Sequence, residues 1–164
     1  MEGSSAAAAP ELVVRTLSFD DLERVMEISA GAPEAGLRRN EELERAAPPN
    51  DPPENALPPL GWVAELGGSV AGFVMASGAA DEMEILTLAV DEAARRKGVG
   101  VALLRHVEAF FQARGAKKAY LEVRASNQGG IAFYERMGFR ETGRRKNYYR
   151  EPVEEAILMA KELT

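Results

Sequence analysis

The stretch that most constrains this chain runs from residue 83 to residue 100. A β-favouring aliphatic run, residues 83–90, stops at Asp91; a polar turn follows, and Gly98-Val99-Gly100 opens an amphipathic helix. A strand that enters a helix through glycines leaves backbone N–H groups at the helix N-terminus without partners. They sit where the helix dipole is positive, and a phosphate can bind there. The spacing is Arg95-x-x-Gly98-x-Gly100. A Walker loop needs a Gly-Lys-Ser/Thr ending and a dinucleotide fingerprint needs Gly-x-Gly-x-x-Gly, and neither is present. By themselves the two glycines read most simply as a plain helix start, so the surrounding chain has to decide.

Downstream, the helix over residues 98–115 sets Leu103, Leu104, Val107, Phe110 and Phe111 on one face, with Gly115 as its stop. His106 falls off that stripe, which predicts a solvent position and no chemistry. Residues 118–125 alternate, Leu121 and Val123 on one side, Tyr120, Glu122 and Arg124 on the other, the pattern of a strand with one polar face. Ser126 and Asn127 cap a short helix that stops at Gly138. This strand-helix-strand-helix order predicts parallel pairing of 83–90 with 119–124 through a right-handed crossover. Strands over 140–149 and 156–161 follow, an antiparallel pair around Arg150-Glu151-Pro152.

Upstream, residues 12–17 make a first strand. Ser18-Phe19-Asp20-Asp21 supplies capping groups for a helix whose apolar stripe is Leu22, Val25, Met26 and Ile28. A second helix is expected over residues 33–46. Six prolines between 48 and 59 exclude a helix or central strand there and predict an extended loop. Strands at 61–66 and 70–77 are joined by Gly67-Gly68-Ser69 as a tight hairpin.

With 164 residues, 46% of them hydrophobic, the chain suits one domain, expected over 11–164 behind a floppy tail at 1–10. It has no cysteine and a single histidine, which excludes disulfides, thiolate metal sites and a cysteine nucleophile; no metal is expected and a reducing cytoplasm is compatible. No apolar run is long enough to span a membrane, the first residues lack a signal peptide's basic start and apolar core, and no nucleic-acid or membrane partner is expected. The net charge of −6 hides an asymmetry: residues 1–90 carry 5 basic and 16 acidic side chains, residues 91–164 carry 15 and 10. That division suits an anionic cofactor on the basic half and a cationic substrate on the acidic one.

Arg95-x-x-Gly98-x-Gly100 after a strand resembles the acyl-CoA pyrophosphate loop of the GCN5-related N-acetyltransferases. Leu121-Glu122-Val123-Arg124-Ala125-Ser126-Asn127, Phe133-Tyr134-Glu135-Arg136-Met137-Gly138-Phe139 and Asn147-Tyr148-Tyr149 are similar to the ribosomal-protein-alanine type within it, densely over residues 86–159. The resemblance implies a single α/β domain: a mixed, mostly antiparallel sheet of about six or seven strands with a splayed parallel central pair, flanked by about four helices. It implies acetyl-CoA as co-substrate, with Leu88, Ala89 and Val90 along the pantetheine arm and Arg95, Arg96, Lys97, Gly98, Val99, Gly100 and Val101 at the pyrophosphate. Asn127 would contact the pantetheine or its neighbouring backbone.

For catalysis, Glu122 matches the type's general base and Tyr134 its proton donor to the CoA sulfur, while Tyr148 and Tyr149 match the segment that grips a peptide substrate. Carbonyl polarisation would come from a backbone N–H near Val90. Each residue also has a plainer reading: Glu122 as a strand carboxylate paired with Arg124 or Lys118, Tyr134 as core beside Ile131 and Met137, and the tyrosine pair as sheet cover. Glu84, on the neighbouring strand, is a rival base. The expected acceptor is the N-terminal α-amine of a protein, a ribosomal protein among the possibilities. A small amine, a lysine side chain, or a CoA-binding sensor without turnover are the alternatives.

Overall fold

A computed structural model describes residues 9–32, 60–150 and 152–164 of the chain. The helix expected over 33–46, the proline-rich loop and all but residues 9 and 10 of the expected tail lie outside them. The elements in chain order are β1 (Leu12–Thr16), α1 (Leu22–Ala30), β2 (Leu60–Leu66), β3 (Ser69–Ala79), β4 (Glu82–Val90), α2 (Val99–Gln112), β5 (Lys118–Arg124), α3 (Gln128–Arg136), β6 (Arg140–Arg150) and β7 (Val153–Glu162). The described residues thus hold three α-helices and one seven-stranded sheet, ordered β1-β2-β3-β4-β5-β7-β6. All neighbours pair antiparallel except β4 and β5, which run parallel.

Local chemistry explains most element ends. Gly67 and Gly68 join β2 to β3 with φ of +62° and +85°, and two left-handed residues in a two-residue loop give the hairpin turn whose twist matches its strands. In front of α1 the Ser18 N–H donates to Asp21 Oδ2 at 2.8 Å. Arg15 clamps the same carboxylate with two bonds of 2.7 and 2.8 Å, and this pairing holds Asp21 below the ordinary carboxylate range although the group is buried. Asn127 caps α3, its Oδ1 accepting the Gly130 N–H at 2.9 Å.

Two apolar layers flank the sheet. Trp62, Val74, Ile85, Leu121 and Val123 face α2, which buries Val99, Leu103, Leu104, Val107 and Phe111 against them. At about 1.5–3 kcal/mol for each fully buried large side chain, this is the main source of the helix's attachment. The alternate residues Val63, Phe73, Met75 and Ala89 face Leu17, Val25 and Ile28 of the β1–α1 segment. Met26, expected on that stripe, is 42% exposed, because the buried face of this short helix is narrower than its apolar face. His106 is exposed as expected, its ring edge against Trp62.

Close approach of α2 to the sheet depends on a residue whose role was not evident from its strand pattern. A Cβ on Gly72 would lie 2.9 Å from Val99 Cγ1 and 3.0 Å from the Ala89 carbonyl oxygen. A bare backbone at this point lets the first turn of α2 rest on β3 beside the end of β4. Glu108 of α2, buried, takes the Lys161 ammonium at 3.0 Å on both oxygens and ties the helix to β7.

Candidate active site

The parallel ladder between β4 and β5 is short. It runs from Glu82↔Lys118 to Ile85↔Leu121 and no further, whereas β4 continues to Val90 against β3 and β5 to Arg124 against β7. The two strands therefore part at Leu86 and Glu122. Backbone groups in such a gap must find partners elsewhere, and a ligand lying between the strands can supply them. A cavity of about 710 Å³ opens there.

Its walls collect residues far apart in sequence. Leu88, Ala89 and Val90 line it from β4, Arg95, Arg96, Gly98, Val99, Gly100 and Val101 from the turn and first residues of α2, and Glu122 from β5. Asn127 and Tyr134 line it from α3 and its cap, Tyr148 and Tyr149 from β6, and Glu84 lies on the wall as well. Lys97 is not part of the wall; it is exposed in the turn. Leu86 and Thr87 line the cavity without having been singled out in the sequence, since nothing in their spacing separates them from other strand residues, and Phe133 and Arg136, quoted there only as part of a motif, line it as well.

At the turn, Arg96 and Gly98 both take left-handed backbone, φ +64° and +80°. For arginine this conformation costs roughly 1–2 kcal/mol, and alternating left-handed residues turn successive N–H groups toward one concavity. Gly98 is the N-cap of a fourteen-residue helix that has no acidic residue in its first turn and no side chain bonded into its cap. Arg95, Arg96 and Arg136 add positive charge to the same wall. The corner is built to take an anion.

Glu122 and Tyr134 approach the fork from opposite faces of the sheet. Leu121 and Val123 belong to the α2-side core, so Glu122 points to the α1 side; Tyr134 packs within the α2-side core, its ring edge-on to Phe133 and Phe139 at 5.2 and 5.6 Å. Burial, with a smaller contribution from Tyr149, pushes the Tyr134 phenol well above its usual range, so it stays protonated at neutral pH. Glu122 has a cationic partner from outside its own strand. Its Oε1 lies 3.4 Å from Arg145 Nη1 of β6, while Lys118 reaches Glu162 at 3.7 Å and Arg124 reaches Glu154 at 3.3 Å.

Arg124 organises the hairpin that carries the two tyrosines. Its guanidinium carbon stands 4.1 Å over the Tyr149 ring, and Glu154 accepts both Arg124 and the Ser126 N–H, the latter at 2.6 Å. Hydrogen bonds from Ser126 first, and from Arg124, hold the Glu154 carboxylate below its usual range. Between Arg145↔Ala156 and Tyr149↔Glu154 the β6–β7 register slips around Asn147, which has φ +53°. That irregularity swings Tyr148 and Tyr149 to the cavity, where their rings meet edge to face at 5.1 Å.

A split parallel pair, a basic, glycine-containing turn after its first strand and a cavity joining them make up the candidate site. Residues 22–139 match the family model described as "Acetyltransferase (GNAT) family", and the chain belongs to that family. It is similar to the [ribosomal protein bS18]-alanine N-acetyltransferase of Escherichia coli K12, 42% identical over 95 residues, which cover 57% of this chain and 64% of that relative, just under two thirds of its length. An uncharacterized N-acetyltransferase of Methanocaldococcus jannaschii is 33% identical over 158 residues, covering 92% of this chain and 91% of the relative. The crystal structure of the E. coli ribosomal-protein-S18-alanine N-acetyltransferase superposes with a TM-score of 0.75 at 30% identity, over 94% of this chain and 95% of that one. No described helix is long and apolar enough to cross a membrane, and no described group of histidine, aspartate and glutamate side chains could hold a metal ion.

Proposed function

We propose that the protein transfers the acetyl group of acetyl-CoA to the N-terminal α-amine of a protein in the cytoplasm, a ribosomal protein being the acceptor suggested by the E. coli relative. The observation that carries this reading is the parting of β4 and β5 immediately after Ile85↔Leu121, with Glu122 on one face of the gap and Tyr134 on the other. The turn at Arg95–Gly100 binds the pyrophosphate, and the pantetheine arm runs along Leu88, Ala89 and Val90 past Asn127, which also caps α3. The thioester then lies in the fork.

The amine approaches from the α1 face. Its lone pair attacks the thioester carbon, whose oxygen is polarised by a β4 N–H near Val90; the C–N bond forms, the C–S bond breaks, the amine proton passes to Glu122, and Tyr134 protonates the departing sulfur. Solvent exchange returns a proton from Glu122 to Tyr134. An α-amine suits this equipment: with a reference pKa near 7.7–8.0, about a tenth of it is neutral at pH 7, against a few parts in ten thousand for lysine. Tyr148 and Tyr149 flank the acceptor backbone.

The test is acetyl transfer from labelled acetyl-CoA to peptides with free N-termini, to N-blocked lysine peptides and to small amines. Label on free N-termini alone supports the reading. Label on lysine or small amines alone replaces the acceptor, and tight acetyl-CoA binding with no transfer to any amine replaces the enzyme with a sensor.

A further inference from the structure

Strand β4 carries one irregularity, and it turns over a single polar residue. Up to Ile85 the strand alternates, with Met83 and Ile85 in the α2-side core. The pairing with β3 then passes from Ala76↔Ile85 to Met75↔Thr87, which leaves Leu86 as an extra, bulged residue. Leu86 packs on the α1-side cluster, as do Met75 and Ala89. Thr87, directly opposite Met75, takes the same face, because opposed residues of an antiparallel pair project together. Unbroken alternation would have sent Thr87 after Met83 and Ile85 into the α2-side core. The bulge instead sets it on the face of Glu84 and Glu122, in the wall of the cavity.

There Thr87 is 3% exposed, and among the described residues its Oγ1 is the one buried side-chain oxygen or nitrogen with no hydrogen-bond partner. A buried hydroxyl left unbonded is a standing cost to the folded state, and such groups call for an explanation. Valine has nearly the same shape and lacks that cost. Retention of the hydroxyl at the fork, where the acetyltransferase reading puts the reaction, points to a use during turnover.

We infer that Thr87 is a positioning residue for the acceptor, its Oγ1 accepting a hydrogen bond from the attacking amine. The inference rests on the reading above. A neutral primary amine has one lone pair and two N–H bonds. The lone pair is committed to the thioester carbon and one N–H gives its proton to Glu122; the second N–H stays on nitrogen into the amide product. In the fork that N–H needs an acceptor, and Thr87 Oγ1 supplies one on the correct face. Held from two sides, by Glu122 and by Thr87, the nitrogen has its lone pair fixed toward the fork.

The experiment compares Thr87→Val and Thr87→Ser with wild type in three measurements: melting of the ligand-free protein, calorimetry with acetyl-CoA, and steady-state kinetics on an N-terminal peptide. Thr87→Val should melt at or above wild type, bind acetyl-CoA with unchanged affinity, and lose about tenfold in kcat/KM for the peptide, the scale of one hydrogen bond. Thr87→Ser should recover most of that loss. Wild-type kcat/KM in Thr87→Val overturns the inference; so does a lower melting temperature or a failure to fold, since either means the hydroxyl has a structural partner. A wild-type protein that acetylates no amine overturns the acetyltransferase reading itself, an outcome distinct from a change confined to the variants.

Discussion

Replacing Tyr134 by phenylalanine removes one oxygen and keeps the ring, so it separates a proton donor from a packing residue. The ring's edge-on contacts with Phe133 and Phe139 at 5.2 and 5.6 Å survive the change, and the residue is already 91% shielded, so no cavity opens. Loss of a hydroxyl costs at most about 0.5–1.5 kcal/mol in stability, which for a domain of this size moves the melting temperature by roughly 1–6 °C. Loss of a positioned acid lowers kcat by about 10²–10⁴-fold, at least 2.7 kcal/mol in the barrier. The kinetic effect therefore exceeds the structural one. Because burial raises the phenol above its ordinary value, the acid stays loaded through mildly alkaline pH, and wild-type kcat should show no alkaline limb from Tyr134 below about pH 10. Steady-state kinetics, thermal melts and acetyl-CoA calorimetry on this one variant make the assay. Unchanged kcat in a folded Tyr134→Phe protein refutes the assignment.

Glu122→Gln should lower kcat by about 10²–10⁴-fold with little change in acetyl-CoA affinity, while Glu84→Gln should be much milder; the reverse order in a kinetic comparison would move the base to β4. Gly98→Val puts a β-branched residue at φ +80°, where strain rather than crowding is the problem, since a Cβ there meets no protein atom within 4 Å. It should weaken acetyl-CoA binding in calorimetry, and unchanged affinity would remove the turn from the cofactor site. Asp21 has its pKa lowered in the folded state by Arg15, so its contribution to stability is complete above the unfolded carboxyl value near 3.9 and disappears as pH falls through the lowered value. Melts of Asp21→Asn should therefore fall below wild type at neutral pH and converge with it in acid, and a pH-independent gap would contradict the pairing.

The parts of this protein legible in its sequence are those governed by neighbours along the chain. The alternation of residues 118–124, the Gly67-Gly68 turn, the asparagine cap at 127 and the glycine opening of α2 all follow from local backbone preference and side-chain period, and each stands where its pattern put it. Strand ends followed less closely, β3 reaching Ala79 and β7 starting at Val153, because pairing partners rather than propensity set their length. Tertiary structure alone decided where β4 and β5 part, since that depends on two strands more than thirty residues apart being held by different neighbours, β3 and β7. It likewise decided that Glu122 meets Arg145, because that charge comes from β6, a strand whose place in the sheet only the pairing with β7 sets. Thr87 is the sharpest instance: a two-residue period predicts its face, and one bulge at Leu86, fixed only by pairing with β3, reverses it.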